Sequence, residues 1–218
     1  LRIDSSGNMG LGGAPIAPGH LTFHINNSTS SAATRFHMTT NGTGSNASDG
    51  FSLSIDGSSS DVNLLQRESA NMLFYTAGTE RLRIDSNGKL LGGNYFTSKQ
   101  IGAVTAPVQI QGTSADTSAL SLFRYSNDDG GSSITLGKGR GTSGGAVDKP
   151  AENDTVGSLL WVVANNNDLT NGNVAAIDAQ MDGDVGGGDT PGRLRFFTTT
   201  DGTSTLSERM RVDSTGRL

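Results

Sequence analysis

The chain has 218 residues, a formal net charge of −5 and no cysteine. The mildly acidic balance, with no basic patch or tail, leaves no electrostatic footprint for nucleic acid, and without cysteine there are neither disulfides nor thiolate chemistry. Glycine supplies 31 residues while Leu, Ile, Val and Phe together reach only about 21%, so any core is thin and further apolar burial between chains is expected.

The strand signals are short and alternate with period two. Leu21, Phe23 and Ile25 alternate with Thr22 and His24; Phe36 and Met38 with Arg35 and His37; Phe51, Leu53 and Ile55 with Ser52 and Ser54. One face is apolar and the other wet, the pattern of a half-buried strand. Residues 95–101 fit a helical turn. Farther along, Val108 and Ile110, Ile134 and Leu136, and Leu194 and Phe196 repeat the alternation. Residues 156–163, with Trp161 among them, form a denser apolar run that suits a strand buried on both faces. Asn41-Gly42, Asp49-Gly50, Asp56-Gly57, Asn87-Gly88, Asp129-Gly130, Asn171-Gly172, Asp182-Gly183 and Asp201-Gly202 supply hairpin chemistry between the runs. No apolar run approaches the roughly 18 residues of a membrane-spanning helix.

One phrase occurs three times. Leu1-Arg2-Ile3-Asp4-Ser5-Ser6-Gly7 returns as Leu82-Arg83-Ile84-Asp85-Ser86-Asn87-Gly88 and as Met210-Arg211-Val212-Asp213-Ser214-Thr215-Gly216. Self-similarity at wide spacing marks a modular array. In the second copy Leu82 and Ile84 share one face of a strand, Arg81, Arg83 and Asp85 share the other, and Ser86-Asn87-Gly88 turns the chain. The phrase therefore reads as a hairpin closing each of two modules, residues 1–93 and 94–218, in an excerpt of a longer polypeptide.

The extended phrase Glu-Arg-[Leu/Met]-Arg-[Ile/Val]-Asp-Ser-x-Gly, seen at Glu80–Gly88 and Glu208–Gly216, resembles the repeat of bacteriophage tail fibre proteins of the marine and cyanobacterial phage type. Asn41-Gly42-Thr43-Gly44, Ser48-Asp49-Gly50-Phe51, Gln66-Arg67-Glu68 and Leu73-Phe74-Tyr75-Thr76 resemble one module of such fibres. Gly139-Arg140-Gly141, Asp154-Thr155-Val156-Gly157, Thr190-Pro191-Gly192-Arg193-Leu194 and Phe197-Thr198-Thr199 resemble a second. The resemblance implies an all-β, elongated homotrimeric fibre of short-stranded modules, intertwined in the manner of a β-sandwich or β-prism, on a virion and outside the cell. It implies as partners other virion tail proteins and a host cell-surface glycan or protein, with no nucleic acid, no membrane insertion and no cofactor. Three chains about one axis would also cover strand edges that otherwise invite uncontrolled pairing. Phe74, Leu82 and Ile84, with Phe197, Met210 and Val212 as their counterparts, are expected to face that shared interior.

The remaining candidates are weaker. His20 and His24 lie four apart, roughly 13 Å along a strand, too far to share a metal within one chain, and with His37 they complete the histidines. Asp182, Asp184 and Asp189 sit on a glycine-rich loop of oxygen donors such as calcium favours, at a spacing that matches neither the EF-hand loop nor the nonapeptide repeat. Asp128, Asp129, Glu152, Asp154 and Asp178 could supply the carboxylate pair of a glycosidase, but most acidic residues stand in turn contexts, and no Gly-x-Ser-x-Gly elbow occurs. Tyr95, Phe96 and Tyr125 are candidates for stacking on a glycan, Trp161 reads as core, and loops 138–155 and 165–173 are the expected contact surfaces. The reading is a non-enzymatic structural and adhesive fibre segment. Its rivals are a tailspike-like polysaccharide depolymerase, a fibre attached to the capsid, and a bacterial trimeric adhesin, the last disfavoured by the lack of heptads.

Overall fold

A computed structural model describes residues 2–3, 9–11, 23–27, 31–142, 144, 148–166 and 169–218. The fold is all-β. Among the described residues there is no α-helix, and none long and apolar enough to cross a membrane. The chain divides into two compact units, Leu1–Gly92 and Gly93–Leu218.

The first unit opens with three short strands. β1 (Arg2–Ile3) runs antiparallel to β2 (Met9–Leu11), which lies parallel to β3 (Phe23–Ile25). The turn of the first repeat copy, Leu21, and His20 lie outside the described residues. Next comes an antiparallel meander of β4 (Thr34–Met38), β5 (Phe51–Ile55) and β6 (Val62–Gln66). Asp56 shapes the β5–β6 turn, its carboxylate accepting the amides of Ser58 and Ser59 at 2.8 and 2.9 Å. A second meander follows, β7 (Met72–Thr76), β8 (Thr79–Ile84) and β9 (Leu90–Gly93). β7 and β8 join through a two-residue turn in which both Ala77 (φ 49°) and Gly78 (φ 71°) are left-handed, as a primed hairpin turn requires.

In the second unit, β10 (Val108–Gln111) is tied to the start of the unit where the amide of Asn94 donates to the Gln111 carbonyl at 2.9 Å. The backbones approach so closely that a Cβ at Gly93 (φ 100°) would fall 2.0 Å from the Gln111 oxygen. A single 3-10 turn, Ala115–Thr117, follows. The unit closes with an antiparallel sheet in simple order, β11 (Thr155–Val162), β12 (Asn173–Met181), β13 (Gly192–Thr199) and β14 (Leu206–Val212).

Three expectations change. Residues 95–101 hold no helical turn. Ile134 and Leu136 belong to no strand, for residues 119–139 form no ladder within the chain. The 156–163 run does form β11, but as an edge strand whose Leu159, Leu160 and Trp161 are exposed, not one buried on both faces. Its apolar density finds no matching cover inside the chain.

Candidate functional site

Strand pairing fixes which side chains share a face, since residues directly opposite project to the same side. On the β4–β6 sheet, Phe36, Leu53 and Leu64 align across the three strands, flanked by Ile55 opposite Val62. This apolar face lies open, with a groove of about 340 Å³ lined by Ile25, Phe36, Leu53, Ile55 and Val62. The other face carries Arg35, His37, Asn63 and Leu65 around two covered serines. Ser52 is 0% exposed and Ser54 4%. The Ser52 hydroxyl lies 2.9 Å from Nδ1 of His37 and accepts Nε of Arg67 at 3.2 Å.

The β11–β14 sheet shows the same inversion. Leu159 opposes Ile177 and Trp161 opposes Ala175; Ile177 opposes Phe196, which opposes Met210, and Leu194 opposes Val212. Nine apolar or small side chains thus share one face if Ala179, opposite Leu194, is included, and Leu159, Trp161, Leu194 and Met210 are each exposed by 40% or more. The reverse face is laced with charge. Arg195 grips Asp178 at 2.7 Å and reaches Glu208 at 3.7 Å, and Arg193 pairs with Asp182 at 2.8 Å and also donates to Gln180 and Asn153. Ala176 and Gln180 are buried there, and Met181 is buried at the end of the apolar face. With Leu91 of the first unit, Ala176 and Met181 are the buried apolar residues among those described.

The two described repeat copies are built alike in detail. Asp85 accepts the amides of Asn87 and Lys89 at 2.9 Å, and Asp213 those of Thr215 and Arg217 at 2.9 and 3.0 Å. Glu80 pairs with Arg83 at 2.7 Å, and Glu208 with Arg211 at 2.5 Å. A bulge interrupts each ladder at Arg81 and at Arg209, and each bulged arginine donates Nε to a threonine hydroxyl at 2.9 Å, Thr76 or Thr198. Phe74 faces Leu82, and Phe196 faces Met210. The residue that repeats the place of Phe74 is therefore Phe196. Phe197 opposes Glu208 on the charged face, with the Arg195 guanidinium 4.9 Å above its ring. On the β7–β9 sheet Phe74 and Leu82 share a face with Met72, Ile84 and Leu90, and Phe74 is exposed.

The candidate ligand residues are dispersed. Tyr95 is exposed beside the Gly93 turn, Phe96 is half-buried, and Tyr125 is 92% exposed with its ring centroid 4.6 Å from that of Phe123. Within loop 138–155, Arg140 exchanges backbone hydrogen bonds with Asp148 at 2.9 and 2.7 Å and clamps Asp154 at 2.7 Å. Among the described residues no three His, Asp or Glu side chains converge on a metal-sized space. Asp182 instead serves Arg193 and the Ser214 amide, and Asp184 accepts the Glu152 amide at 3.5 Å.

Of the carboxylates considered for hydrolysis, Asp128, Asp154 and Asp178 are likewise engaged. Asp128 accepts Arg124 at 2.5 Å, and its carboxyl is held below the usual range by hydrogen bonds from Ser126 and the Gly130 amide, then Arg124. Asp154 is held well below that range by the Arg140 guanidinium and then by the Ala151 amide. A glycosidase acid requires the opposite shift.

No family model matches the chain, and no curated protein matches it. Among solved structures it is similar to the carboxy-terminal domain of the bacteriophage T5 L-shaped tail fibre, at a TM-score of 0.50 and 12% identity, over 96% of this chain and 88% of that one. The structure of that domain with its intra-molecular chaperone domain aligns at a TM-score of 0.46 and 12% identity, over 94% of this chain and 60% of that one. The chain therefore has an all-β fold like that of a phage tail-fibre domain.

Proposed function

We propose that the chain is a structural and adhesive, non-enzymatic segment of a homotrimeric phage tail fibre. Its two units act as successive fibre modules, residues 1–93 and 94–218. They hold a receptor-binding surface away from the virion and present it in several copies.

The observation that carries this reading is the inverted covering of the sheets. The polar side chains of Ser52, Ser54, Asp178, Arg193 and Arg195 are largely covered inside the chain, while the apolar side chains of Phe36, Leu53, Leu64, Leu159, Trp161 and Met210 stand open. The chain exposes 15143 Å², against about 11,400 Å² for two separate compact units of its total mass. The excess of roughly 3,700 Å² falls within the range of obligate interfaces. Phe74, Leu82, Ile84, Met210 and Val212 line the shared interior, with Phe196 in the place expected of Phe197. Tyr95, Phe96 and Tyr125 are offered to a host surface glycan or protein, and other virion tail proteins hold the fibre. A weak aromatic contact gains from threefold presentation.

Light scattering tests the reading. A mass near three times 22.5 kDa is expected. A folded species of 22.5 kDa would refute the shared interior.

A further inference from the structure

Residues 119–139 contain two stretches with strand grammar, Leu120-Ser121-Leu122-Phe123-Arg124 and Ser132-Ser133-Ile134-Thr135-Leu136. Among the described residues no backbone–backbone hydrogen bond joins residues 119–139 to anything. A structureless connection of that length inside a compact unit is unusual, and this one is not shapeless. Its tip is ordered by Arg124 on Asp128 at 2.5 Å and by the Gly130 amide on the same carboxylate at 2.9 Å. The far arm ends against the β11–β14 sheet, where a Cβ at Gly157 would fall 2.6 Å from the Leu136 Cβ. Between the arms lies an open cleft of about 300 Å³ lined by Leu120, Leu122, Ser132, Ser133 and Ile134. The result is a hairpin, ordered at its tip and seated at its far arm, whose arms never zip. Leu120 and Ile134 stand 70% and 66% exposed.

We infer that these arms are strands completed between copies, residues 119–124 of one chain pairing with residues 132–137 of a second. Each copy offers both halves of the match: two arms of ordinary strand length, unsatisfied ladder groups on both, and a cleft lined by Leu120, Leu122 and Ile134 together with Ser132 and Ser133. A foreign partner would leave half of these groups unused in every copy. The surplus exposed area noted above is of the size that an obligate contact between copies covers. The inference rests on the multi-copy reading and adds the register by which one chain enters the next.

The test uses the whole protein. Its mass is measured first, then hydrogen exchange at the amides of residues 119–124 and 132–137. Protection of at least 100-fold in a multi-copy species is expected. Because the chain lacks cysteine, a variant carrying both Leu122→Cys and Ile134→Cys then reports who pairs with whom. After oxidation and denaturation it should run as covalent dimers and trimers. A multi-copy species whose ribbon amides exchange freely overturns this inference and leaves the fibre reading standing. A species of one-chain mass overturns both. Oxidised variant chains that run only at monomer size, within a multi-copy native protein, place the pairing inside one chain and overturn the inference alone.

Discussion

Replacing Trp161 with Ala isolates the open face of the β11–β14 sheet. Trp161 is the only tryptophan and is 49% exposed in the single chain. In the proposed trimer, about half of a tryptophan's surface, roughly 120 Å², would be covered on assembly. At about 25 cal/mol per Å² this is worth about 3 kcal/mol per chain, or about 9 kcal/mol for three. With about 1.4 kcal/mol to each factor of ten, the trimerisation constant falls by six to seven decades, roughly. Because that constant scales with the square of concentration, the midpoint of assembly rises by about three decades. Sedimentation across a dilution series reads this directly. The wild-type emission gives an independent check, since a covered indole is shifted to the blue and shielded from acrylamide. Trp161→Ala chains that assemble at the wild-type midpoint, together with a wild-type indole quenched like free tryptophan, would refute the assignment of this face to a chain–chain contact.

Ile84→Asp places a carboxylate on the open face of the β7–β9 sheet. Desolvating it costs several kcal/mol, about, so the scattering mass should drop, and an intact trimer counts against the shared interior. Acid should act through Asp154 and Asp213. Hydrogen bonds from Arg140 and the Ala151 amide lower the first, and bonds from the Thr215 hydroxyl and the Arg217 amide lower the second. A carboxyl depressed on folding stabilises fully above its unfolded value, about 3.9, and loses that contribution as pH falls through the folded one. The denaturant midpoint should thus hold down to about pH 4 and then decline. Asp213→Asn should flatten the decline, and an unchanged acid limb would exclude this turn as a cause. Ala77→Gly should raise the melting temperature, since Ala77 sits at φ 49°, where a side chain costs about 1 kcal/mol. A lowered temperature would show that the turn carries no such strain.

Much of the strand content was legible because alternation survives in the residues themselves. Phe51, Leu53 and Ile55 announce β5, and Asp56-Gly57, Asn87-Gly88 and Asp201-Gly202 stand in turns between paired strands. Alternation, however, names two faces without saying which is covered. Ser52 and Ser54 look like the wet side of β5 and are its closed side. The Ala77-Gly78 turn escaped because alanine carries no turn signature. The bulge at Arg209 shifts the ladder by one residue and moves the partner of Met210 from Arg195 to Phe196, a displacement no periodicity can register. Tyr95 and Tyr125 read in the sequence only as aromatics near strand ends, and to this the fold adds exposure alone.

The matched hairpins carry a last consequence. Both units possess the same bulge, the same glutamate–arginine clasp and the same aspartate-centred turn, although their other strands differ. A segment that closes each time in one local geometry can be exchanged, duplicated or deleted at that phrase without redesign of the closing hairpin. In the proposed fibre, reach and recognition then become independent variables: genetic recombination at the shared phrase can lengthen the fibre or graft a new surface onto it.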